Sequence, residues 1–225
     1  MGRDRGDGRD RGDGRDRGDH QGDPEDVRLH PAIRFPSGGS LSDDVHRQLL
    51  SRRIVLVHGP LDNASAAETA ATLMTLDASG DDRVVLRLMA ADASIDLGLM
   101  LMDVMAVLGV PVDVTAGGRI AGGAVGILVA GRHRVLAPHA RLHLREPDGT
   151  VAGRAVEIER ALAAQAAQRD RFFARVAECS GRPQGVVEED WRASRFLEPS
   201  DAVSLGYADE VEEAGGRRAG GAAGA

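Results

Sequence analysis

Residues 117–131 read GGRIAGGAVGILVAG, a glycine-rich turn followed by a short apolar helix that ends at a glycine. The start of a helix exposes unpaired backbone N–H groups and the positive end of the helix dipole, so it can hold a nucleophile or an oxyanion. None of these residues has a side chain that could act as a nucleophile. The stretch therefore predicts the backbone of a nucleophile turn without the nucleophile.

Short β-rich runs alternate with helical runs on both sides of this stretch. The predicted strands are RIVLVHG at Arg53, VVLRLM at Val84, VPVDVTAG at Val110, HRVLAP at His133 and RLHLREP at Arg141. One predicted helix starts at Ala64 and has Ala67, Ala71, Met74 and Ala78 on its apolar face. Three more cover residues 95–108, 154–178 and 183–191. Repeated βα units predict a largely parallel sheet with right-handed crossovers.

The longest predicted helix, residues 154–178, leaves this sheet layer. Its apolar side contains Ile158, Leu162, Ala166 and one of the two phenylalanines, Phe172 or Phe173. We therefore expect it to contact another subunit.

Composition narrows the function classes. The net charge of −7 argues against nucleic acid as the main partner, since phosphate binding requires a basic surface. The single cysteine, Cys179, excludes an internal disulfide and a cysteine-based zinc cluster. The apolar runs are too short for a membrane span and the N-terminus lacks the apolar core of a signal peptide. We expect a cytoplasmic protein without metal or cofactor.

Three segments are predicted along the chain. Residues 1–40 contain Met1, three copies of GRDRGD and a proline-containing linker; each copy has zero net charge and nothing to bury, so we expect disorder. The RGD triplets could be adhesion motifs, but no export signal accompanies them. Residues 41–212 form the predicted folded domain, and residues 213–225 a low-complexity tail.

Three regions together resemble the signature motifs of the Clp protease proteolytic subunit family, the self-compartmentalised serine peptidases driven by AAA+ unfoldases. They are GGRIAGGAVGILVAG at Gly117, RLHLREPDG at Arg141 and RFLEPSDAVSLGYADEV at Arg195. The resemblance implies an α/β fold, the ClpP/crotonase-like spiral of ββα units with a protruding long handle helix.

The resemblance also implies where a catalytic triad would lie, and all three positions differ. The family motif GQAASMGAFLLAAG places its serine at Gly122 and the following methionine at Gly123. The run RIMIHQP places the general-base histidine at Arg145, and RDRF places the orienting aspartate at Ser194. Glycine has no attacking oxygen, arginine is permanently protonated, and serine cannot stabilise an imidazolium as a carboxylate does. We therefore expect no working triad.

The oxyanion side is altered as well. In the family, a SPGG turn and the residue after the serine, here Gly123, donate backbone N–H groups to the tetrahedral intermediate. The residues that correspond to the turn are Ala90, Ala91, Asp92 and Ala93. A carboxylate at Asp92 places negative charge where negative charge must develop, which opposes catalysis.

Other side chains could replace the missing groups. Ser94 and Cys179 are the alternative nucleophiles, but neither has a recognisable base at a defined spacing. His143 lies two residues before Arg145 on the same predicted strand, about 6.5 Å along it. That is too far to occupy the position of the base, so we expect His143 to be structural.

The resemblance finally implies partners. The long helix matches the handle that interlocks two heptameric rings, and Arg195 and Phe196 match the Arg and Phe of RDRF, where the arginine takes part in ring contacts. Val85 and Arg87 stand where the family has tyrosines that line the docking pockets for unfoldase loops. A guanidinium is a poor lining for an apolar pocket, so docking of a AAA+ Clp unfoldase stays open.

Three functions follow as hypotheses. The first is a catalytically inactive structural or regulatory subunit, in rings with itself or with active Clp proteolytic subunits. The alternative is an active ATP-dependent serine endopeptidase subunit in protein quality control, with a relocated site. An acyl-thioester-binding protein of the wider crotonase superfamily is the third, but no feature such as a basic adenine-nucleotide site favours it.

Overall fold

The computed structural model describes residues 41–145 and 154–213. The predictions on the GRDRGD repeat, the linker and the end of the tail lie outside these residues. The described strands are β1 (Ile54–Pro60), β2 (Val84–Ala93), β3 (Val112–Gly117), β4 (Arg119–Gly122), β5 (Arg134–Leu136), β6 (Arg141–His143), β7 (Phe196–Leu197) and β8 (Glu210–Val211). The described helices are α1 (Leu41–Ser51), α2 (Asn63–Ala78), α3 (Ile95–Val107), α4 (Gly123–Val129), α5 (Ala155–Ser180), α6 (Gln184–Arg192) and α7 (Pro199–Ser204).

The strands form one mostly parallel sheet, which confirms the predicted α/β class. Its order is β7-β6-β4-β2-β3-β5-β8, and β1 also pairs with β2. All pairs are parallel except β6 with β7. The long strand β2 is the centre of this arrangement, because its first part pairs with β1 and β3 while its end pairs with β4.

Two local predictions differ from the structure. The glycine-rich turn contains a strand, β4, and β2 continues beyond the predicted VVLRLM as far as Ala93. The two differences have one cause: Asp92 and Ala93 pair with Ala121 and Gly122. Pairing between distant residues supplies backbone hydrogen bonds that a short glycine-rich stretch does not signal by itself.

The predicted apolar face of α2 is wrong by one residue. The buried residues are Ala66, Thr69, Ala70 and Leu73, whereas Ala67, Ala71, Met74 and Ala78 are exposed. Alanines lie on several sides of this helix, so its sequence fits two orientations almost equally well. Burial of the larger Leu73 against the sheet decides between them.

The core lies between the sheet and helices α3, α4 and α5. Every residue of α4 is buried. Phe172 and Phe173 from α5 contact Trp191 of α6 edge to face, with ring centroids 5.9 and 5.7 Å away. Tyr207 completes the aromatic group at 6.0 Å from Trp191. These contacts fix α5 and α6 on the side of the sheet that carries α4.

Only the C-terminal part of α5 packs into this core. Both Phe172 and Phe173 are buried within this chain, although the sequence placed only one of them on the apolar side. Leu162 and Val156 are 51% and 57% exposed, and Ala166 is also exposed. The first half of the helix therefore has apolar side chains that the described residues do not cover.

Within the described residues, no helix is both long and apolar enough to cross a membrane.

Candidate functional site

Neighbouring strands bring the residues that the resemblance assigns to a triad and an oxyanion turn to one edge of the sheet. Ala93 of β2 pairs with Gly122 at the end of β4, and Ala121 pairs with His143 at the end of β6. Arg145 follows β6 by two residues. Ser194 precedes β7, which pairs antiparallel with β6 through His143 and Phe196. The residues that the resemblance implies thus lie around one carboxyl-terminal edge.

Gly122 occupies a sharp turn from β4 into α4. Its φ of 56° and ψ of −133° are strained for any residue with a side chain. A Cβ atom at this position would lie 2.6 Å from the carbonyl oxygen of Ala93 and 3.4 Å from a carboxylate oxygen of Asp92. The turn has the form that presents a nucleophile, but the strand beside it leaves little room for a side chain.

Gly123 marks a close approach of α4 to α3. A Cβ atom on Gly123 would lie 2.0 Å from the carbonyl oxygen of Ser94 and 3.2 Å from the Cα atom of Gly98. Both are backbone atoms, which cannot move aside as a flexible side chain can. The structure therefore has no space for the methionine of the family motif at this position.

Arg145 forms an ion pair with Asp92. Its Nη2 donates to both carboxylate oxygens, at 3.0 and 2.8 Å. The Nη2 of Arg119 lies 3.4 Å from the same carboxylate. The residue at the base position is thus bound to the residue in the oxyanion turn, and both are largely shielded from solvent. Sequence reasoning identified both residues but not their contact, since they are far apart along the chain.

His143 contacts Ser194, and the sequence did not predict this contact. The Nε2 of His143 lies 2.9 Å from the Oγ of Ser194. The spacing of His143 from Arg145 on their own strand gave no sign of this contact, because Ser194 reaches His143 from the antiparallel neighbour β7. The sequence shows only that one motif contains a histidine and another contains a serine. The pairing of β6 with β7 brings the two side chains together.

The surroundings of His143 favour its neutral form. Burial lowers the pKa of His143 below its ordinary value of 6.5, and the positive charges of Arg119 and Arg145 lower it further. The Asp92 carboxylate acts in the opposite direction but is the smallest of these effects. The imidazole is therefore uncharged at neutral pH and can accept a proton.

Of the two alternative nucleophiles, Ser94 has a structural role and Cys179 has a thiol of raised pKa. The Oγ of Ser94 accepts the backbone N–H of Leu97 at 3.3 Å and thereby caps α3. Cys179 is half-buried, and burial raises the pKa of its thiol, which lowers the fraction of reactive thiolate. The geometry favours neither as the centre of a relocated peptidase site.

Arg195, which the sequence predicts as a ring contact, binds a carboxylate inside its own chain. Its Nη1 lies 2.5 Å from Asp190, whose other oxygen accepts a hydrogen bond from Arg182 at 2.7 Å. Phe196 is mostly exposed and stacks on His143. The role of both residues in oligomer contacts stays a prediction.

In the described part of the chain, no group of three or more His, Cys, Asp or Glu side chains could hold a metal ion. The fold and the site together define a mostly parallel α/β protein with a strained turn from strand to helix at Gly122. The family model described as Clp protease matches residues 37–215. The match covers most of the sequence, so the chain belongs to the Clp protease family, which confirms the resemblance. Membership implies a Clp-protease-type subunit that forms oligomeric rings with Clp partners in general.

Proposed function

We propose that this chain is a structural or regulatory subunit of an ATP-dependent Clp protease complex and is catalytically inactive as a peptidase. The observation that carries the proposal is the ion pair between Arg145 and Asp92 beside Gly122. A peptidase needs a nucleophile at the turn, a proton acceptor beside it and donors for the oxyanion. Here Gly122 has only a hydrogen at the position of the nucleophile. The permanent cation Arg145 stands at the position of the proton acceptor, and the Asp92 carboxylate stands at the position of the oxyanion donors.

The exposed half of α5 supports a role in assembly. Leu162 and Val156 are exposed on the first half of α5, where residues 41–145 and 154–213 give them no cover. Exposed apolar side chains on a protruding helix favour burial against a second subunit. Because the family handle has this location, we propose that α5 joins this chain to other Clp proteolytic subunits.

The charges in the cleft beside Val85 and Arg87 support the proposal that an unfoldase docks only weakly on this chain. It has a volume of about 620 Å³, and Arg83 and Arg87 are among the residues that line it. Its other lining residues include the acidic side chains Asp113, Glu210, Glu212 and Glu213. A cleft with this many charges is a poor site for an apolar loop. We propose that unfoldase docking is left to the partner subunits in a mixed ring.

Reconstitution tests the inactive role. We expect this chain to co-purify with an active Clp proteolytic subunit from the same cell, and the complex to hydrolyse a fluorogenic peptide. When the nucleophilic serine of the active subunit is replaced by alanine, hydrolysis by the same complex is expected to fall to background, because this chain supplies no nucleophile for peptide bonds.

Two controls separate assembly from catalysis. Leu162→Glu should weaken co-purification by placing a charge on the exposed apolar part of α5, whereas Glu159→Gln on the same exposed helix should not. Peptide hydrolysis that persists in the complex after the active subunit has lost its serine would overturn the proposal. Failure to bind any Clp proteolytic subunit would overturn the assembly part.

Restoring the triad by sequence is expected to fail. A variant with Gly122→Ser, Arg145→His and Ser194→Asp should show no peptide hydrolysis above the unmodified chain. The serine Cβ would lie 2.6 Å from the Ala93 carbonyl oxygen, and removing Arg145 would leave the Asp92 carboxylate without that partner.

Gly122→Ser alone should lower the free energy of unfolding by about 1–3 kcal/mol because of the positive φ and the close contact. Turnover of a fluorogenic peptide and urea unfolding of each variant measure the two effects. Peptidase activity in a stably folded triple variant would show that the backbone is still competent.

A further inference from the structure

Ser194 and His143 have the geometry of a nucleophile and its base. The 2.9 Å separation between Ser194 Oγ and His143 Nε2 lies within the range for proton transfer along a hydrogen bond. Ser194 is exposed, so a small molecule can reach its hydroxyl. Neither residue takes part in the proposed structural role of the subunit.

The backbone at Ser194 is strained, and its hydroxyl is directed at His143. Its φ is 49°, a left-handed conformation that is costly for a residue other than glycine. The Ser194 N–H donates to the carbonyl of Trp191 at 2.9 Å in the turn after α6. A glycine would adopt this turn at lower cost, yet the chain has a residue whose Oγ points to His143.

The ring of His143 is held in one orientation. It stacks on Phe196 with the ring centroids 3.9 Å apart and the planes 14° from parallel. The histidine is partly buried, while its neighbour Ser194 is open to solvent. A fixed ring keeps Nε2 directed at the serine oxygen, which a freely rotating surface histidine does not do.

The charges around the pair favour attack by Ser194. Arg119 and Arg145 are the positive groups that act on His143, and Asp92 is the negative one. Their net effect, together with burial, keeps the imidazole neutral and able to accept the serine proton.

The pair lacks the third member of a catalytic triad. The Nδ1 of His143 is buried and has no hydrogen-bond partner among the described residues. Loss of the orienting carboxylate lowers the rate of a serine protease about 10⁴-fold. Amide bonds, whose amine leaving group is poor, are therefore out of reach of this pair, whereas activated esters have a leaving group that departs without a proton.

We infer that Ser194 and His143 form a nucleophilic dyad that is acylated by activated esters, whose leaving group departs as a stable anion. The Ser194 Oγ attacks the carbonyl carbon while its proton passes to His143 Nε2. The carbon–oxygen bond to the leaving group then breaks, and the departing anion keeps the bonding electron pair. His143 then loses this proton to solvent and accepts a proton from the water that attacks the acyl-serine. It returns that proton to Ser194 Oγ as the acid leaves, which restores the hydroxyl.

A fluorophosphonate probe tests the dyad on the full-length chain. Serine Oγ displaces fluoride from phosphorus, so each labelled molecule gains one phosphonyl group. Intact-mass measurement is expected to show one label, and peptide mapping is expected to place it on Ser194. The labelling rate should rise with pH to a plateau whose midpoint lies below 6.5, since the base is a histidine of lowered pKa.

Two variants test the roles of Ser194 and His143, and a third variant is the control. Ser194→Gly removes the nucleophile yet suits the positive φ, so it should fold at least as well as the original chain and lose the label. His143→Gln is expected to slow labelling about 100-fold or more, the contribution of a general base. Ser51→Ala, at an exposed serine that hydrogen-bonds only within α1, is the matched control and should label normally.

The outcomes are distinct from those for the proposed function. No label on any serine, a label on Ser94 instead, or an unchanged rate in His143→Gln would each overturn the dyad. None of these results alters the expectation that the chain does not hydrolyse peptides. Peptide hydrolysis that disappears in Ser194→Gly would instead overturn the inactive role while keeping the dyad.

Discussion

Asp190→Ala is expected to lower the free energy of unfolding by about 3–5 kcal/mol, the cost of removing one partner of a buried ion pair. Asp190 is only 5% exposed and accepts hydrogen bonds from Arg182 and Arg195. Arg182 causes most of the loss, because its side chain is 15% exposed, whereas Arg195 is 45% exposed and is partly solvated. Equilibrium urea unfolding measures the change.

Glu189→Ala provides the matched control. Glu189 is the preceding residue on the same helix and is exposed, so its removal should change stability by no more than about 0.5 kcal/mol. A loss below about 1 kcal/mol in Asp190→Ala would show that the two guanidinium groups find water or other partners without Asp190.

Gly123→Ala is expected to destabilise the fold by about 3 kcal/mol, at the upper end of the range for overpacking. The added methyl group would lie 2.0 Å from the Ser94 carbonyl oxygen, so α4 has to move away from α3. Every residue of α4 is buried, and a shift of this helix disturbs the sheet on one side and α5 on the other. Thermal and urea unfolding of the purified variant measure the effect.

Gly185→Ala tests whether the loss at Gly123 comes from contact. A Cβ atom on Gly185 meets no atom within 4 Å. This substitution lies in α6, where alanine favours helix, and should leave stability unchanged or raise it by up to about 1 kcal/mol. If the two alanine variants had the same stability, the close approach of α3 and α4 would not hold in solution.

Much of the fold could be predicted from the sequence, because apolar runs with a period of two or of about 3.6 report strands and helices directly. The strand that begins at Val84 and the helix that begins at Ile95 are where their patterns placed them. The orientation of α2 could not be predicted, since its alanines fit either face. The strand at Arg119 was also missed, since its pairing with β2 comes from residues about 30 positions away.

Part of the candidate site could be predicted from the sequence, and part could not. Residue type alone decides that Gly122 cannot attack and that Arg145 cannot accept a proton, wherever these residues lie. Residue type does not decide which side chains contact one another in this site. The ion pair of Arg145 with Asp92 and the hydrogen bond of His143 with Ser194 depend on strands that meet side by side after folding.

The sequence by itself determined the family and led to the proposal that the usual triad is absent, because motifs and side-chain chemistry are local properties of the chain. Only the tertiary structure decided which contacts the residues at these positions make. The order β7-β6-β4-β2 brings four distant segments to one edge, where Arg145 neutralises Asp92 and His143 meets Ser194. A contact between residues 51 positions apart has no signature in either segment, because the sheet that joins them forms only on folding.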